Sequence, residues 1–146
     1  MARECGLSDR LIRVTDRPGP AVLPAFDILL MPSVYEGMPY VLLEALSVGV
    51  PVVATDVGGV VEAVEQAVTG FVVPQEDDAA LIEKLSLLVE VTSLRRAFAA
   101  ASLRKGGEMT VDRMVKETLH VYRAALAARA AGLRRLTIGL DPDRAG

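Results

Sequence analysis

The sequence predicts an α/β fold, a Rossmann-like parallel sheet with flanking helices. Short runs rich in Val, Ile and Leu recur along the first half of the chain, and segments of helix length separate them. Runs that are apolar on both faces are typical of buried parallel strands whose crossover helices cover the sheet. Half of the 146 residues are hydrophobic, which is enough for one substantial core. The expected strands are residues 11–15, 27–31, 50–55 and 71–73.

Helices are expected between the strands. Residues 39–48 form the first, because Gly49 and Pro51 follow as the usual stop signals, and residues 59–67 form the next. The first of these helices lies between the second and third expected strands, which is the order that a crossover connection requires.

Three further helices are expected after the last strand. Their expected N-caps are Asp77 or Asp78, Ser93 and Thr110. The last helix carries an apolar stripe, which predicts that it docks on something. The stripe consists of Met114, Leu119, Tyr122 and Leu126.

The net charge of −3 conceals an asymmetry. Residues 1–90 carry 14 acidic and 5 basic side chains, whereas residues 91–146 carry 5 acidic and 11 basic ones. A basic segment can face nucleic acid, an anionic membrane or an acidic domain. Because no aromatic residues alternate with these charges, a solvated helix face is favoured and no nucleic acid partner is predicted. Peripheral membrane contact stays open.

The cellular compartment and the domain bounds are predicted from the cysteine content, the N-terminal sequence and the length of the apolar runs. Cys5 is the single cysteine and no signal peptide is recognisable, so we expect a cytoplasmic protein, with the inner face of the membrane as an open alternative. Charged residues interrupt every apolar run, which excludes a membrane-spanning helix. We expect one domain over residues 1–130, truncated at its N-terminus, and a poorly ordered tail over residues 131–146.

The stretch SVYEGMPYVLLEA, residues 33–45, contains the main candidate residues for ligand binding. Pro39 suits the first position of a helix, which makes Met38 the cap, and methionine has no strong acceptor for the first N–H groups. An anion such as a diphosphate could take that place at the positive end of the helix, and Gly37 lets it approach. The turn follows a parallel strand, where open α/β sheets bind ligands.

Two carboxylates bracket this helix start. Glu44 lies among apolar neighbours and needs a hydrogen bond, either from the protein itself or from ligand hydroxyls such as those of a ribose. Glu36 lies in the turn before the helix. It is either an exposed loop charge or a residue that binds the ligand. Position alone leaves both alternatives open for each carboxylate. Because the two carboxylates lie on either side of the helix start, their order suggests a ligand with a sugar on one side of a phosphate and a ribose on the other.

These residues resemble a known family. The motifs are the pair Glu36 and Glu44 eight positions apart (E-x7-E), the lead-in PSVYEGMP, the strand and turn GVPVVATDVGGVVE, and TGFVVP. Over roughly residues 6–125 the chain resembles the C-terminal, donor-binding domain of retaining GT-B glycosyltransferases, of the group 1 or family 4 type.

The resemblance implies roles for the site residues. Glu36 would be the catalytic residue and would bind hydroxyls of the donor sugar, and Glu44 would bind the ribose. The donor would be a UDP- or GDP-sugar, with no further cofactor and no metal, and the acceptor a saccharide or a lipid-linked molecule. The backbone around Gly37, Met38, Pro39, Tyr40 and Val41 would hold the diphosphate and sugar, and Ser33, Val14 and Thr15 the nucleoside.

The chain also departs from the family. In relatives an acceptor-binding N-terminal domain and a glycine-rich turn with an Arg and a Lys precede this region, so we expect the chain alone to be inactive. The stretch VTDRPGPAVLPAF replaces a more usual glycine and acidic loop. The alternative is a truncated, non-catalytic module whose basic C-terminal helices bind a partner domain or a membrane surface. An epimerase-like enzyme is weaker, because His120 is the only histidine and no base is assigned.

Overall fold

The computed structural model describes residues 4–130. The contacts divide the chain into two compact units, Met1–Gly107 and Glu108–Gly146, and the division falls inside the domain predicted over residues 1–130. The predicted tail lies outside the described residues.

The first unit is built on a three-stranded parallel sheet. Its strands are β1 (Leu29–Met31), β2 (Val52–Thr55) and β3 (Gly70–Val73), in the order β1-β2-β3. Val52 pairs with Leu29 on one side and Gly70 on the other. All four residues of β2 are buried, as expected for the central strand of a covered parallel sheet. The predicted α/β class with a parallel sheet is therefore confirmed.

Helices alternate with these strands. The first unit contains α1 (Gly19–Val22), α2 (Tyr40–Ser47), α3 (Val60–Ala63), α4 (Asp78–Glu90) and α5 (Thr92–Glu108), and short 3-10 turns at Ser8–Arg10 and Leu23–Ala25. The Asp77 side chain accepts a hydrogen bond from the N–H of Ala80 at 2.9 Å, which confirms the first of the two alternative caps. Ser93 is the second residue of α5, which begins at Thr92, so the cap predicted there is wrong by two residues.

The core packs around β2. Val53, Phe71, Leu88 and Phe98 form one buried cluster, in which the rings of Phe71 and Phe98 lie 5.2 Å apart at a tilt of 54°. Tilted aromatic pairs at this distance add to the stability gained from burial alone. Because α4 and α5 contribute Leu88 and Phe98, these two helices fix the position of the sheet.

The strand predicted at residues 11–15 is wrong. No residue of this segment pairs with the sheet in the described part of the chain, and its apolar side chains Leu11, Ile12 and Val14 are exposed. An extended segment becomes a strand only where a neighbouring strand shares its hydrogen bonds. Without such a neighbour, burial does not offset the entropy lost on ordering the segment.

The second unit contains α6 (Val111–Ala130). The Thr110 hydroxyl accepts a hydrogen bond from the N–H of Arg113 at 3.2 Å, as the predicted cap requires. On the helix surface Glu117 hydrogen-bonds Arg113 at 2.7 Å and raises the pKa of that guanidinium above its ordinary value. The stripe residues Met114, Leu119, Tyr122 and Leu126 are exposed. The docking of this helix through its apolar stripe stays a prediction.

Candidate functional site

The candidate site lies at the carboxyl edge of the sheet. Met31 ends β1 and Thr55 ends β2, and because the strands run parallel, the segments that follow them meet at the same edge. The segment after β1 is the loop of residues 32–39, which leads into α2. This is the edge where open α/β sheets bind their ligands.

The start of α2 has no side-chain cap. Pro39 takes the cap position, with φ −71° and ψ 116°, so Tyr40 begins the helix and the predicted boundary is one residue early. The carbonyl of Pro39 accepts from Leu42 at 3.1 Å. Pro39, like Met38, has no polar side chain, so the first N–H groups of the helix are presented at the positive end of its dipole. An anion is the natural partner for such a helix start.

Glu44 lies one turn into this helix and is half-buried. Among residues 4–130, no hydrogen bond or ion pair engages its carboxylate, although its backbone carbonyl accepts from the Ser47 hydroxyl at 2.7 Å. The first of the two alternatives for Glu44, a partner within the protein, therefore has no support in the described chain. The carboxylate keeps its hydrogen-bonding capacity for a ligand or for solvent.

Gly19 lies directly against the Glu44 carboxylate. A Cβ atom at Gly19 would stand 2.7 Å from the nearer carboxylate oxygen. The absence of a side chain at this position lets the chain between Pro18 and Pro20 pass close to Glu44. No sequence pattern predicts this proximity, because the two residues are 25 positions apart and Gly19 lies between two prolines at the start of α1.

Glu36 has a hydrogen-bond partner within its own loop. Its carboxylate accepts a long hydrogen bond of 3.4 Å from the hydroxyl of Ser33, and both residues are half-buried. This hydrogen bond brings the side chains of Ser33 and Glu36 together in the loop between β1 and α2. Val34 and Tyr35, which lie between them, are 81% and 90% exposed, so the loop between the two polar residues has almost no packing of its own.

The turn that follows β2 contacts the backbone of this loop. The N–H of Gly59 donates to the carbonyl of Gly37. Gly58 has φ +46°, and a Cβ there would overlap the carbonyl oxygens of Glu36 and Gly37. At Gly59 a Cβ would stand 2.5 Å from the terminal methyl of Met38. The close approach of two backbones therefore requires glycine at position 58, whereas a Cβ at position 59 would displace the flexible end of Met38.

Val14 and Thr15 lie in the exposed stretch that precedes α1. Val14 lines a cavity of about 360 Å³ together with residues that include Arg13, Asp16, Arg17 and Val22. Thr15 is exposed and does not line it. None of the residues from Ser33 to Val41 contributes to this cavity, nor does Glu44. In the described residues Ser33 therefore hydrogen-bonds Glu36 in the loop that leads into α2. The part of Val14 and Thr15 in binding a nucleoside stays a prediction.

Two features are absent from the described residues. Between residues 4 and 130 no three His, Cys, Asp or Glu side chains come together as a metal site would require. Across the same span no helix has the length and apolar character needed to cross a membrane.

A parallel α/β sheet with an uncapped helix start and two carboxylates at its carboxyl edge defines the class of ligand-binding Rossmann-like domains. Comparison with known proteins gives the family. Residues 1–91 match the family described as glycosyl transferases group 1, and the chain belongs to it. The predicted membership of the group 1 glycosyltransferases is confirmed.

Relatives of known name agree with this assignment. The chain is 37% identical to a D-inositol 3-phosphate glycosyltransferase of Salinispora arenicola, over 88% of the chain and 29% of that protein. It is 42% identical to the putative colanic acid biosynthesis glycosyltransferase WcaL of Escherichia coli, over 45% of the chain and 18% of that protein. The chain thus spans less than a third of the length of these curated relatives.

Solved structures show the same fold. A sucrose-phosphate synthase from Thermosynechococcus elongatus superposes with a TM-score of 0.76 at 25% identity, over 87% of this chain and 33% of that one. HepE from Anabaena, solved in complex with UDP-glucose, gives a TM-score of 0.70 at 25% identity, over 82% of this chain and 35% of that one. These neighbours are GT-B glycosyltransferases, which confirms the predicted fold family.

Proposed function

We propose that this chain is the donor-binding part of a retaining glycosyltransferase that uses a nucleotide sugar. The observation that carries the proposal is the uncapped start of α2, which lies at the carboxyl edge of the sheet between Glu36 and Glu44. A nucleotide sugar has a matching order of groups, with hydroxyls at both ends and a diphosphate in the middle. HepE, a structural neighbour, was solved with UDP-glucose, which supports a UDP-sugar or GDP-sugar as donor.

Each proposed role follows from the chemistry of the group. The N–H groups at the start of α2 and the backbone from Gly37 to Val41 would hold the diphosphate, because the helix dipole favours negative charge there. Leaving-group charge that develops on the diphosphate would be stabilised by the same donors, as in an oxyanion hole. Glu36 would accept hydrogen bonds from the donor sugar and Glu44 from the ribose. Ser33, Val14 and Thr15 remain candidates for contacts to the nucleoside.

The acceptor and the reaction are also part of the proposal. We infer transfer of a hexose to a saccharide or a lipid-linked acceptor that binds outside the described residues. The similarity to WcaL, whose name refers to colanic acid biosynthesis, favours assembly of a polysaccharide. A lipid-linked acceptor would bring the enzyme to a membrane surface. We propose that the chain by itself binds the donor without transferring the sugar, and the proposal assigns no role to a metal.

Donor binding is the direct test. In saturation-transfer NMR with the chain, a panel of UDP-sugars and GDP-sugars should give signals from the ribose and the sugar of at least one member, and excess of the matching nucleoside diphosphate should remove them. Uridine or guanosine without phosphate is the control and should bind much more weakly. If no nucleotide sugar binds, the donor-binding proposal fails and a non-catalytic module is favoured.

The contact between Gly19 and Glu44 provides a second prediction, because a substitution at position 19 should change nucleotide affinity without changing the stability of the fold. An alanine Cβ at position 19 would meet the flexible end of Glu44 and push the carboxylate aside. Loss of one charge-assisted hydrogen bond to the ribose costs about 1.5–3 kcal/mol. We therefore expect Gly19→Ala to weaken nucleotide binding by about tenfold to 100-fold, as measured by calorimetry, with little change in the melting temperature.

The matched control for this prediction is Gly107→Ala. A Cβ at Gly107 has no atom within 4 Å, so the same chemical change is made in open space. Equal affinities for Gly19→Ala and Gly107→Ala would show that Glu44 does not need its observed position in order to bind the nucleotide.

A further inference from the structure

Thr55 connects the ends of two strands. It is the last residue of β2 and is 8% exposed. Its hydroxyl donates a hydrogen bond to the carbonyl of Ser33 and lies 3.4 Å from the carbonyl of Met31. One proton can serve one strong bond, so Ser33 is the main acceptor. The loop that leaves β1 is thereby attached to β2 at its first polar residue.

The same loop is attached to β2 a second time, at its far end. The turn at Gly58 and Gly59 touches the carbonyls of Glu36 and Gly37, and the N–H of Gly59 donates to the latter. The positive φ of Gly58 is part of this approach, since it directs the turn towards the loop. A single short segment, residues 55–59, therefore contacts the loop at both ends.

Glu36 lies between the two attachments. The residues around it contribute little packing, because Val34 and Tyr35 are almost fully exposed. The hydrogen bond from Ser33 to Glu36 is long, at 3.4 Å, and by itself does not fix the carboxylate. The backbone position of Glu36 is consequently determined by what holds Ser33 and Gly37, and both are held by the end of β2.

We propose that Thr55 and the Gly58–Gly59 turn are positioning residues for sugar transfer. They act through the loop by holding Glu36 and the backbone of Gly37 where the donor sugar and diphosphate would lie. This inference rests on the proposed function. None of the three residues touches the ligand in this scheme. Thr55 suits the role because its β-branched side chain fits a central strand while its hydroxyl reaches the neighbouring loop.

The test compares Thr55→Val with Thr55→Ser in the glycosyltransferase that contains this chain. Valine keeps the shape and removes the hydroxyl, whereas serine keeps the hydroxyl. Small misplacements of reacting groups lower rates by up to about 100-fold, and we expect Thr55→Val to lower kcat about tenfold. The KM for the nucleotide sugar should change little, because Glu44 and the start of α2 remain in place. Thr55→Ser should restore most of kcat.

A destabilised control separates positioning from stability. Leu88→Val removes one methylene group from the buried core cluster, away from the loop. It should lower the melting temperature, but it should not lower kcat at a temperature where the enzyme stays folded. If Thr55→Val lowers only the melting temperature, or if Thr55→Ser fails to restore kcat, the positioning role is refuted.

An NMR readout on the chain distinguishes this proposal from the proposed function. The amide signals of Glu36, Gly37 and Gly59 should shift in Thr55→Val and return towards their original positions in Thr55→Ser, with or without any ligand. Unchanged signals would overturn the positioning role. If instead the signals shift as expected but the unaltered chain binds no nucleotide sugar, the proposed function is the one that fails.

Discussion

Replacing Glu36 by alanine is expected to lower sugar transfer by about 1,000-fold while nucleotide binding stays nearly unchanged. Removal of one group that stabilises a transition state costs about 100-fold to 1,000-fold in kcat. Glu36 is proposed to contact the sugar, the part of the donor on which charge and geometry change during transfer. An interaction that strengthens only in the transition state lowers kcat and kcat/KM together when it is removed.

The position of Glu36 supports this separation of effects. The loop that carries it is attached to the end of β2, through Thr55 and the Gly58–Gly59 turn, and precedes α2. Truncation of its side chain leaves the helix start and Glu44 in place, so the diphosphate and ribose contacts should persist. The measurement is a comparison of kcat and of the dissociation constant for the nucleoside diphosphate.

Two control variants make the Glu36 experiment decisive. Glu65→Ala removes the same charge from an exposed side chain on the protein surface and should leave transfer unchanged. Glu36→Gln keeps a hydrogen-bond acceptor without the charge and should fall between alanine and the unaltered enzyme. A Glu36→Ala enzyme that transfers sugar at the normal rate would remove the carboxylate from the proposed mechanism.

The sequence predicted the main elements because their signals are local. The central strand shows as a fully apolar run from Val52 to Ala54, and Asp77 shows as a cap directly before a helical repeat. The helix start between Glu36 and Glu44 was predictable for the same reason, since proline and methionine at its head exclude a side-chain cap. Local preferences and their period were sufficient for these features.

Other features depend on contacts between distant residues, which a single sequence does not record. The strand expected at residues 11–15 has the right composition but pairs with no described strand. Gly19 against Glu44 and Thr55 bonded to Ser33 each join residues more than 20 positions apart. A threonine at a strand end and a glycine pair after it are common signals of a turn, and only the structure shows which loop the turn supports.

Glu44→Ala is expected to weaken binding of the nucleotide itself by about 100-fold. The half-buried carboxylate would accept two ribose hydroxyls, and hydrogen bonds to a charged group are worth about 1.5–3 kcal/mol each. A net loss of about 2.7 kcal/mol corresponds to that factor.

Because the ribose is present in both ligands, the affinities for a nucleoside diphosphate and for its sugar conjugate should fall together, as calorimetry can measure. In Glu36→Ala the affinity for the nucleoside diphosphate should stay unchanged, and only the affinity for its sugar conjugate should fall, by a small factor. Glu44→Gln is the matched control, since it keeps one acceptor oxygen and should lose less affinity than alanine does. Should the sugar conjugate alone lose affinity in Glu44→Ala, the two carboxylates would have to exchange roles, and the nucleotide would lie across the start of α2 in the opposite direction.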